Sequence, residues 1–185
     1  TFYIDARGAD RAGLARLEGM IRQLNGSYVP AEDRILFRVS TDAGEEFKAF
    51  NAQDGHGIKM LQESGVAIVI ITSRKSKLME RRAENLGIQH LYQGVENKLE
   101  AMNALLQQLG LTLEQASYMG DDVLDLPLMR CCGYAASVPE APAIVRQHAH
   151  YVTRAGGGRG AVREFCEHVL HAQGNLDAAL ARYLA

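Results

Sequence analysis

Two adjacent carboxylates follow a short apolar segment, where residues 116–122 read Ala-Ser-Tyr-Met-Gly-Asp-Asp. In an open α/β sheet, the loops beyond the carboxyl ends of parallel strands form the crevice where ligands and metals bind. Mg²⁺ prefers oxygen ligands and usually takes only one or two protein carboxylates, so Asp121 and Asp122 suit a magnesium site. The alternative is a simple turn that caps the next helix, because glycine and aspartate also favour turns and aspartate favours helix N-caps.

A second group of polar residues follows the apolar, largely β-branched run at residues 66–71. It consists of Thr72, Ser73, Arg74 and Lys75. At the carboxyl end of a buried strand, hydroxyls and the amides of the next helix can surround a phosphate, and Arg74 would add charge. The alternative is ordinary helix capping by Thr72 or Ser73, with the two cations in solvent.

Other basic residues are weaker candidates. Lys98 falls in the first turn of a predicted helix, where a positive charge opposes the helix dipole; binding a phosphate would explain it, and an ordinary surface lysine is the alternative. Residues 154–163 combine arginines with glycines and could bind a carboxylate or phosphate, or form an ordinary loop. The six histidines and three cysteines show no metal-ligand spacing and are expected to be surface or packing residues.

Composition restricts the classes of protein. With 185 residues and 47% hydrophobic residues, the chain can bury one core, and we expect a single domain over residues 1–185. A formal charge of −2 gives no general attraction to nucleic acid or anionic membranes. No apolar run approaches the ~20 residues that span a bilayer, and no basic-then-apolar start is present. We therefore expect a cytoplasmic protein.

Predicted strands alternate with predicted helices, which indicates βαβ units and a mostly parallel sheet. The exception is a β-hairpin at residues 34–50, with strands at 34–40 and 46–50. Before it, the sequence predicts a strand end at 1–4 and an amphipathic helix at 11–24 that Asn25-Gly26 ends. Later strands are predicted at 66–71, 91–92, 117–119, 134–136 and 151–152. Helices are predicted at 57–64, before Gly87, and at 96–109, 124–131, 139–147 and 162–184, the last interrupted at 174–175.

The order of the candidate residues is similar to motifs II, III and IV of the haloacid dehalogenase (HAD) superfamily. These are a strand that ends in Thr72, then Lys98, then Gly120-Asp121-Asp122 with Asp125 beyond. Longer strings resemble the 3-deoxy-D-manno-octulosonate 8-phosphate (KDO 8-phosphate) phosphatase family. They are residues 48–51, 54–55, 71–75, 90–94, 97–98, 120–122 and 157–164. The similarity runs from about residue 35 almost to the C-terminus.

This resemblance implies a HAD-like Rossmannoid α/β fold of three layers, with a mostly parallel sheet, a β-hairpin and no large cap domain. It implies a Mg²⁺-dependent phosphatase that hydrolyses KDO 8-phosphate to the free sugar acid and phosphate in lipopolysaccharide precursor synthesis. It also implies a homotetramer, in which the hairpins help to build the core and a C-terminal segment, within residues 154–185, reaches a neighbour's active site.

Site residues follow from the same resemblance. Thr72 would hydrogen-bond the transferring phosphoryl group and Lys98 would neutralise it. Asp121 would bind Mg²⁺, and Asp122 would support the metal or bind its water. Candidates for binding the sugar acid are Ser73, Arg74, Lys75 and Arg159.

The first motif of the family differs in this chain. Members carry Asp-x-Asp, whose first Asp attacks phosphorus and whose second protonates the leaving oxygen, whereas this sequence contains no Asp-x-Asp. A gap-free register from the hairpin puts these positions at Gly26 and Tyr28, which cannot perform the two roles. Otherwise Asp5 is the nucleophile and a metal ligand, and Arg7 stands where the general acid should be. Arg7 cannot donate a proton near neutral pH.

Three hypotheses follow. The leading one is a phosphatase of the KDO 8-phosphate group, with a phosphorylated sugar acid as its ligand. The second is a catalytically impaired relative that binds sugar phosphates or serves as a structural oligomer, because the Asp-x-Asp motif is missing. The third, a receiver-like module with paired acids and a Thr/Lys pair, has the wrong chain order, since its acids should come early.

Overall fold

The computed structural model describes residues 26–31, 34–41, 44–48 and 50–184. Contacts divide the chain into two compact units, Thr1–Ala52 and Gln53–Ala185. The predicted strand end at 1–4, the predicted helix at 11–24 and the candidate nucleophile Asp5 lie outside the described residues. The single domain over residues 1–185 stays a prediction.

The first unit contains an antiparallel sheet of three strands in the order β1 (Gly26–Ala31), β2 (Arg34–Thr41) and β3 (Gly44–Lys48). β2 and β3 confirm the predicted hairpin, with Thr41 opposite Gly44. The predicted helix before Gly26 lies outside the described residues, and Gly26 itself begins β1, opposite Val39, a strand that the sequence did not predict. Pro30 concealed this strand from sequence reasoning, since proline is confined to edge strands, and β1 is an edge of the sheet.

Helices and strands alternate in the rest of the described chain, as predicted. The strands are β4 (Val69–Thr72), β5 (His90–Gln93), β6 (Ser117–Met119), β7 (Tyr134–Ser137) and β8 (Tyr151–Val152). The helices are α1 (Ala52–Glu63), α2 (Lys77–Leu86), α3 (Lys98–Leu109), α4 (Leu126–Met129), α5 (Ala143–Gln147), α6 (Ala161–Ala172) and α7 (Leu176–Ala181). Short 3₁₀ turns form at Leu113–Gln115 and Val123–Asp125.

Every strand pair from β4 onward in the described residues is parallel. β4 pairs with β5, with Thr72 opposite Gln93. β6 pairs with β7, and β7 with β8. Among the described strands, β4 has no second partner, and of its residues only Ile71 is buried, at 8% exposed. The sequence predicted a strand buried on both faces, whereas Val69 and Ile70 are only half-buried.

Side chains of β4 and the residue before it alternate between two hydrophobic clusters. Ile68 and Ile70 pack with α2 residues such as Leu86 on one face. Val69 and Ile71 pack with α3 residues such as Met102 on the other. Successive strand residues point to opposite faces, so helices cover this sheet on both sides. The chain therefore has the predicted α/β fold, in which helices enclose parallel strands.

Local capping fixes the helices that begin near the strand ends. Ser76 caps the start of α2, and Asn97 caps α3 by accepting from the Glu100 amide at 3.1 Å. Both helices end at a glycine with a positive φ, 69° at Gly87 and 67° at Gly110, a conformation that glycine adopts without steric cost. No helix in the described ranges is long and apolar enough to cross a membrane.

Candidate active site

The loop that follows β6, residues 120–125, is called here the acidic loop. Gly120 at its start donates its amide to the Ala136 carbonyl at 3.0 Å, which extends the β6–β7 pairing by one residue. The buried Ser137 hydroxyl donates to the Gly120 carbonyl at 2.8 Å. A side chain at Gly120 would collide with Asp125, because its Cβ would lie 2.5 Å from the Asp125 Cβ. Glycine is therefore needed for this close approach.

Asp125 organises the acidic loop. Only 2% of it is exposed, and its Oδ2 accepts from the backbone amides of Asp121 and Asp122 at 3.0 and 3.1 Å. Its Oδ1 accepts from Lys98 Nζ at 2.5 Å and from the Tyr118 hydroxyl at 2.6 Å. A buried carboxylate is costly unless it is paired and hydrogen-bonded, and here both oxygens are satisfied.

The network also sets the ionisation of its members. Burial raises the pKa of Asp125, but hydrogen bonds from Lys98, Tyr118 and the two loop amides outweigh burial, and the pKa lies below its usual value. Burial, and then the hydrogen bond to Asp125, raise the pKa of Tyr118 well above its usual value. The carboxylate is therefore ionised at neutral pH, and the phenol keeps the proton that it donates.

The two predicted metal ligands have different surroundings. Asp122 Oδ1 accepts from the Val123 amide at 2.7 Å, so this side chain caps the 3₁₀ turn, the alternative that the sequence left open. The exposed Asp121 carboxylate makes no hydrogen bond or ion pair within the described part of the chain. Within the described residues, no partner of the Asp121 carboxylate would compete with a cation.

Both side chains fit a magnesium site in chemical type. They are exposed carboxylates beyond the carboxyl end of a parallel strand, and Mg²⁺ needs only one or two such ligands from the protein. Within residues 26–31, 34–41, 44–48 and 50–184, no three His, Cys, Asp or Glu side chains form a metal-binding group. The candidate metal ligand Asp5 lies outside the described residues, and its role stays a prediction.

The end of β4 and the loop that follows it, residues 72–76, are together called here the basic loop. The Thr72 hydroxyl accepts from the Arg74 amide at 3.2 Å, and the Thr72 carbonyl accepts from the Val95 amide at 3.1 Å. Gln93 at the end of β5 accepts from the Ser76 amide at 2.8 Å and donates to Glu80 at 2.9 Å. Three residues of the basic loop are exposed, namely Ser73, Arg74 and Lys75.

Lys98 lies between the segment that follows β5 and the acidic loop that follows β6. It begins α3, three residues after Val95, whose amide binds the Thr72 carbonyl. Its ammonium group reaches Asp125 in the acidic loop. Lys98 is therefore hydrogen-bonded to the acidic loop, and the segment just before it is hydrogen-bonded to the carboxyl end of β4. The roles of these residues in binding and catalysis stay predictions.

Arg159 lies in a third loop, residues 154–160, called here the glycine-rich loop. This loop follows β8, and Glu164 holds its start by accepting from the Arg154 and Ala155 amides at 3.0 and 2.8 Å. Glu140 accepts from the Gly157 amide at 3.3 Å. Arg159 itself is exposed, and no hydrogen bond or ion pair in the described residues joins its side chain to the acidic or basic loop. Its role in substrate binding also stays a prediction.

Sequence reasoning noticed Asp125 only as part of a motif and missed Tyr118 and Gln93 altogether. The three-residue spacing from Asp122 to Asp125 is a capping-box pattern. It could have indicated that the side chain of each residue accepts a hydrogen bond from the backbone amide of the other. The contact between Tyr118 and Asp125 has no sequence signal, because it depends on how β6 lies against the 3₁₀ turn.

Comparison with known proteins agrees with this arrangement. The family model of haloacid dehalogenase-like hydrolases matches residues 91–160, which include Lys98 and the acidic loop. The α/β fold and the acidic loop at a strand end thus define a HAD-like hydrolase.

Closer relatives narrow the family. The 3-deoxy-D-manno-octulosonate 8-phosphate phosphatase of Escherichia coli K12 is 50% identical over 136 residues, which cover 74% of this chain and 72% of the relative. The Moraxella catarrhalis phosphatase of the same name, in complex with magnesium, phosphate and KDO, has a TM-score of 0.74 at 42% identity, covering 79% of this chain and 84% of that one. The cobalt-bound Haemophilus influenzae phosphatase has a TM-score of 0.71 at 37% identity, covering 74% and 80%. This chain belongs to the KDO 8-phosphate phosphatase family.

Proposed function

We propose that this protein is a Mg²⁺-dependent phosphatase that hydrolyses KDO 8-phosphate to the free sugar acid and phosphate. The observation that carries the proposal is the hydrogen-bonded link from Lys98 to the acidic loop, next to the Thr72 strand end. The substrate is that named for relatives 50% identical to this chain. Release of the sugar acid would supply lipopolysaccharide precursor synthesis.

Two side chains are suited to bind the phosphoryl group. The Thr72 hydroxyl accepts from the Arg74 amide, so its own proton is available for a phosphoryl oxygen. The Lys98 ammonium has three protons and uses one on Asp125, which leaves the others for the substrate. Together they would neutralise and orient the phosphate, the main requirement of phosphoryl transfer.

Asp121, with support from Asp122, would hold the metal ion. A bound Mg²⁺ would offset negative charge on the phosphoryl oxygens as it develops. Asp121 is the better ligand because its carboxylate is free within the described residues, whereas Asp122 shares one oxygen with the Val123 amide. The amide bonds from both residues to Asp125 fix the backbone that carries these carboxylates.

The nucleophile is the Asp5 carboxylate in this proposal, which would attack phosphorus and release the sugar oxygen. Water would then hydrolyse the phosphoaspartate, which releases phosphate and restores the carboxylate. With Arg7 in place of a general acid, the leaving oxygen would take its proton from water. The loss of general acid catalysis typically lowers the rate by about 10²–10⁴-fold. Substrates with good leaving groups should therefore be hydrolysed relatively better.

The sugar acid would be bound by polar and cationic side chains of two loops. Ser73, Arg74 and Lys75 are exposed beside Thr72, and Arg159 is exposed in the glycine-rich loop. Guanidinium groups can bind a carboxylate through two parallel hydrogen bonds, which suits the acid group of the substrate.

A second candidate function is binding of sugar phosphates without turnover, or service as a structural oligomer, and the absence of Asp-x-Asp favours it. A phosphate-release assay with KDO 8-phosphate, with and without EDTA, together with calorimetry of the same ligand, separates the two. We expect Mg²⁺-dependent release that is abolished in Asp121→Ala. Binding without release would establish the second function, and release that neither EDTA nor Asp121→Ala changes would contradict both.

We also propose that the protein is a cytoplasmic homotetramer. The support for the tetramer is membership of the family whose resemblance implied that assembly. Light scattering coupled to size-exclusion chromatography tests it, and a mass equal to one chain would contradict it. Fractionation of cells tests the location.

A further inference from the structure

We propose that Tyr118 is a positioning residue for the acidic loop. Its hydroxyl holds Asp125 Oδ1, so that Asp125 Oδ2 stays on the amides of Asp121 and Asp122. The inference deepens the proposed function and rests on it where it concerns metal binding. It assigns to Tyr118 no contact with the substrate.

The side chain of Tyr118 is itself well fixed. Tyr118 lies in β6, and its ring packs against two hydrophobic clusters that contain Met129 and Leu128. A tyrosine ring has only two side-chain torsions, so packing on both sides leaves its hydroxyl little freedom. The 2.6 Å bond to Asp125 therefore connects the loop to the hydrophobic core.

All the accepting positions of Asp125 are in use. An ionised carboxylate offers about four lone-pair sites, and here Lys98 and Tyr118 take two at Oδ1 while the two loop amides take two at Oδ2. A rotation of the carboxylate would disturb all four bonds together. Loss of the Tyr118 hydroxyl would leave one buried site unsatisfied and would let the carboxylate tilt away from the amides.

Lys98 cannot fulfil this role alone. Its side chain is long, 14% of it is exposed, and in the proposed function it shares its protons between Asp125 and a phosphate. Tyr118 has no such second task. The tyrosine therefore keeps Asp125 in place when the lysine also binds a phosphate, and the acidic loop stays in its binding conformation.

The substitution Tyr118→Phe tests the inference. Amide hydrogen exchange measured by NMR in the absence of metal should become faster at Asp121 and Asp122. Mg²⁺ affinity measured by calorimetry should fall about tenfold, the usual size of an effect that acts through a ligand's partner. The matched control is Tyr92→Phe, because Tyr92 packs in the same cluster as Tyr118 and its hydroxyl has no hydrogen bond within the described residues. The control should change neither value.

A double-mutant cycle identifies the route of the effect. In an Asp125→Asn background, Tyr118→Phe should no longer change exchange at Asp121 and Asp122, because the two residues act as one unit. Unchanged exchange in Tyr118→Phe, or an equal change in Tyr92→Phe, would overturn the inference. If the wild-type protein binds no Mg²⁺, the proposed metal site fails, and amide exchange alone decides whether Tyr118 positions the loop.

Discussion

The acidic and basic loops both follow parallel strands, but the structure holds them in different ways. The acidic loop is bound from within by Asp125, a carboxylate that is 2% exposed and accepts four hydrogen bonds. The basic loop is held at its two ends, by Thr72 and by the bond from Ser76 to Gln93, while Arg74 and Lys75 extend into solvent.

This difference indicates what each loop is prepared for. A cation site must bring carboxylates together against their repulsion, so a backbone that is already fixed removes part of the entropic cost of binding. Long cations that bind a flexible sugar acid can be ordered by the ligand itself. We therefore expect substitutions in the acidic loop to affect metal binding and stability, and those of Arg74 and Lys75 in the basic loop to affect substrate affinity alone.

The largest effect should come from Asp121→Asn. The substitution removes the free carboxylate, and metal stabilisation of phosphoryl transfer is worth several kcal/mol, so Mg²⁺-dependent kcat should fall by about 10³-fold. Asp122→Asn is the matched control, because an amide oxygen can still accept from the Val123 amide and only a supporting charge is lost. Steady-state assays across a range of Mg²⁺ concentrations measure kcat for both variants. Equal losses of kcat in the two variants would contradict the proposal that Asp121 is the better metal ligand of the two.

Asp125→Ala should cause the largest loss of stability. It leaves Lys98, Tyr118 and two loop amides without their acceptor, and breaking a buried ion pair typically costs about 3–5 kcal/mol. Urea unfolding followed by circular dichroism gives the free energy of unfolding. In contrast, Arg74→Ala in the basic loop should change the free energy of unfolding by less than about 0.5 kcal/mol. A loss below about 1 kcal/mol in Asp125→Ala would show that the network does not stabilise the fold.

Acid should weaken the acidic loop through the same carboxylate. The folded protein lowers the pKa of Asp125, so its stabilising effect is complete above the unfolded value of about 3.9 and is lost as the pH falls through the folded value. Unfolding free energies measured between pH 7 and pH 3 should therefore fall less steeply in Asp125→Asn than in wild type. Parallel curves would assign the acid sensitivity to other groups.

The alternation of strands and helices was readable in the sequence because glycines such as Gly87 and Gly110 mark helix ends and apolar runs mark strands. β1 was not readable, because Pro30 argues against a strand and only pairing with β2 forms it. The full burial predicted for β4 failed because the burial of a strand depends on its neighbours, which local sequence does not specify.

The candidate site was predictable to the extent that its residues follow strands. Thr72 and Asp121 became candidates because each follows an apolar run, and the carboxyl ends of parallel strands are expected to meet at one edge of a sheet. Tyr118 was not found, because it precedes Gly120 in an apolar segment where a tyrosine suggests packing. Its bond to Asp125 requires the 3₁₀ turn to fold back on β6, a tertiary contact without a periodic pattern.

Arg74→Ala combined with Lys75→Ala should affect substrate affinity and little else. Each removes a charge-assisted contact with the sugar acid, so KM for KDO 8-phosphate should rise at least about tenfold, while kcat and the melting temperature stay unchanged. Hydrolysis of p-nitrophenyl phosphate, which lacks the acid group, is the control and should not change. If turnover is absent, calorimetry of KDO 8-phosphate binding gives the same comparison. A fall in stability would mean that the basic loop is held by these side chains.

The smallest effect should follow Gln93→Leu, which removes the connection between β5 and the end of the basic loop. The Ser76 amide would lose its acceptor in a residue that is 5% exposed, at a cost of about 1–2 kcal/mol in the free energy of unfolding. Gln93→Glu keeps an acceptor for that amide but places a second negative charge beside Glu80, 2.9 Å from the present amide. Urea unfolding at low and high salt separates the lost hydrogen bond from the charge repulsion. Salt screens the repulsion in Gln93→Glu but does not restore the missing acceptor in Gln93→Leu. A Gln93→Leu variant as stable as wild type would show that Thr72 and the start of α2 hold the basic loop without Gln93.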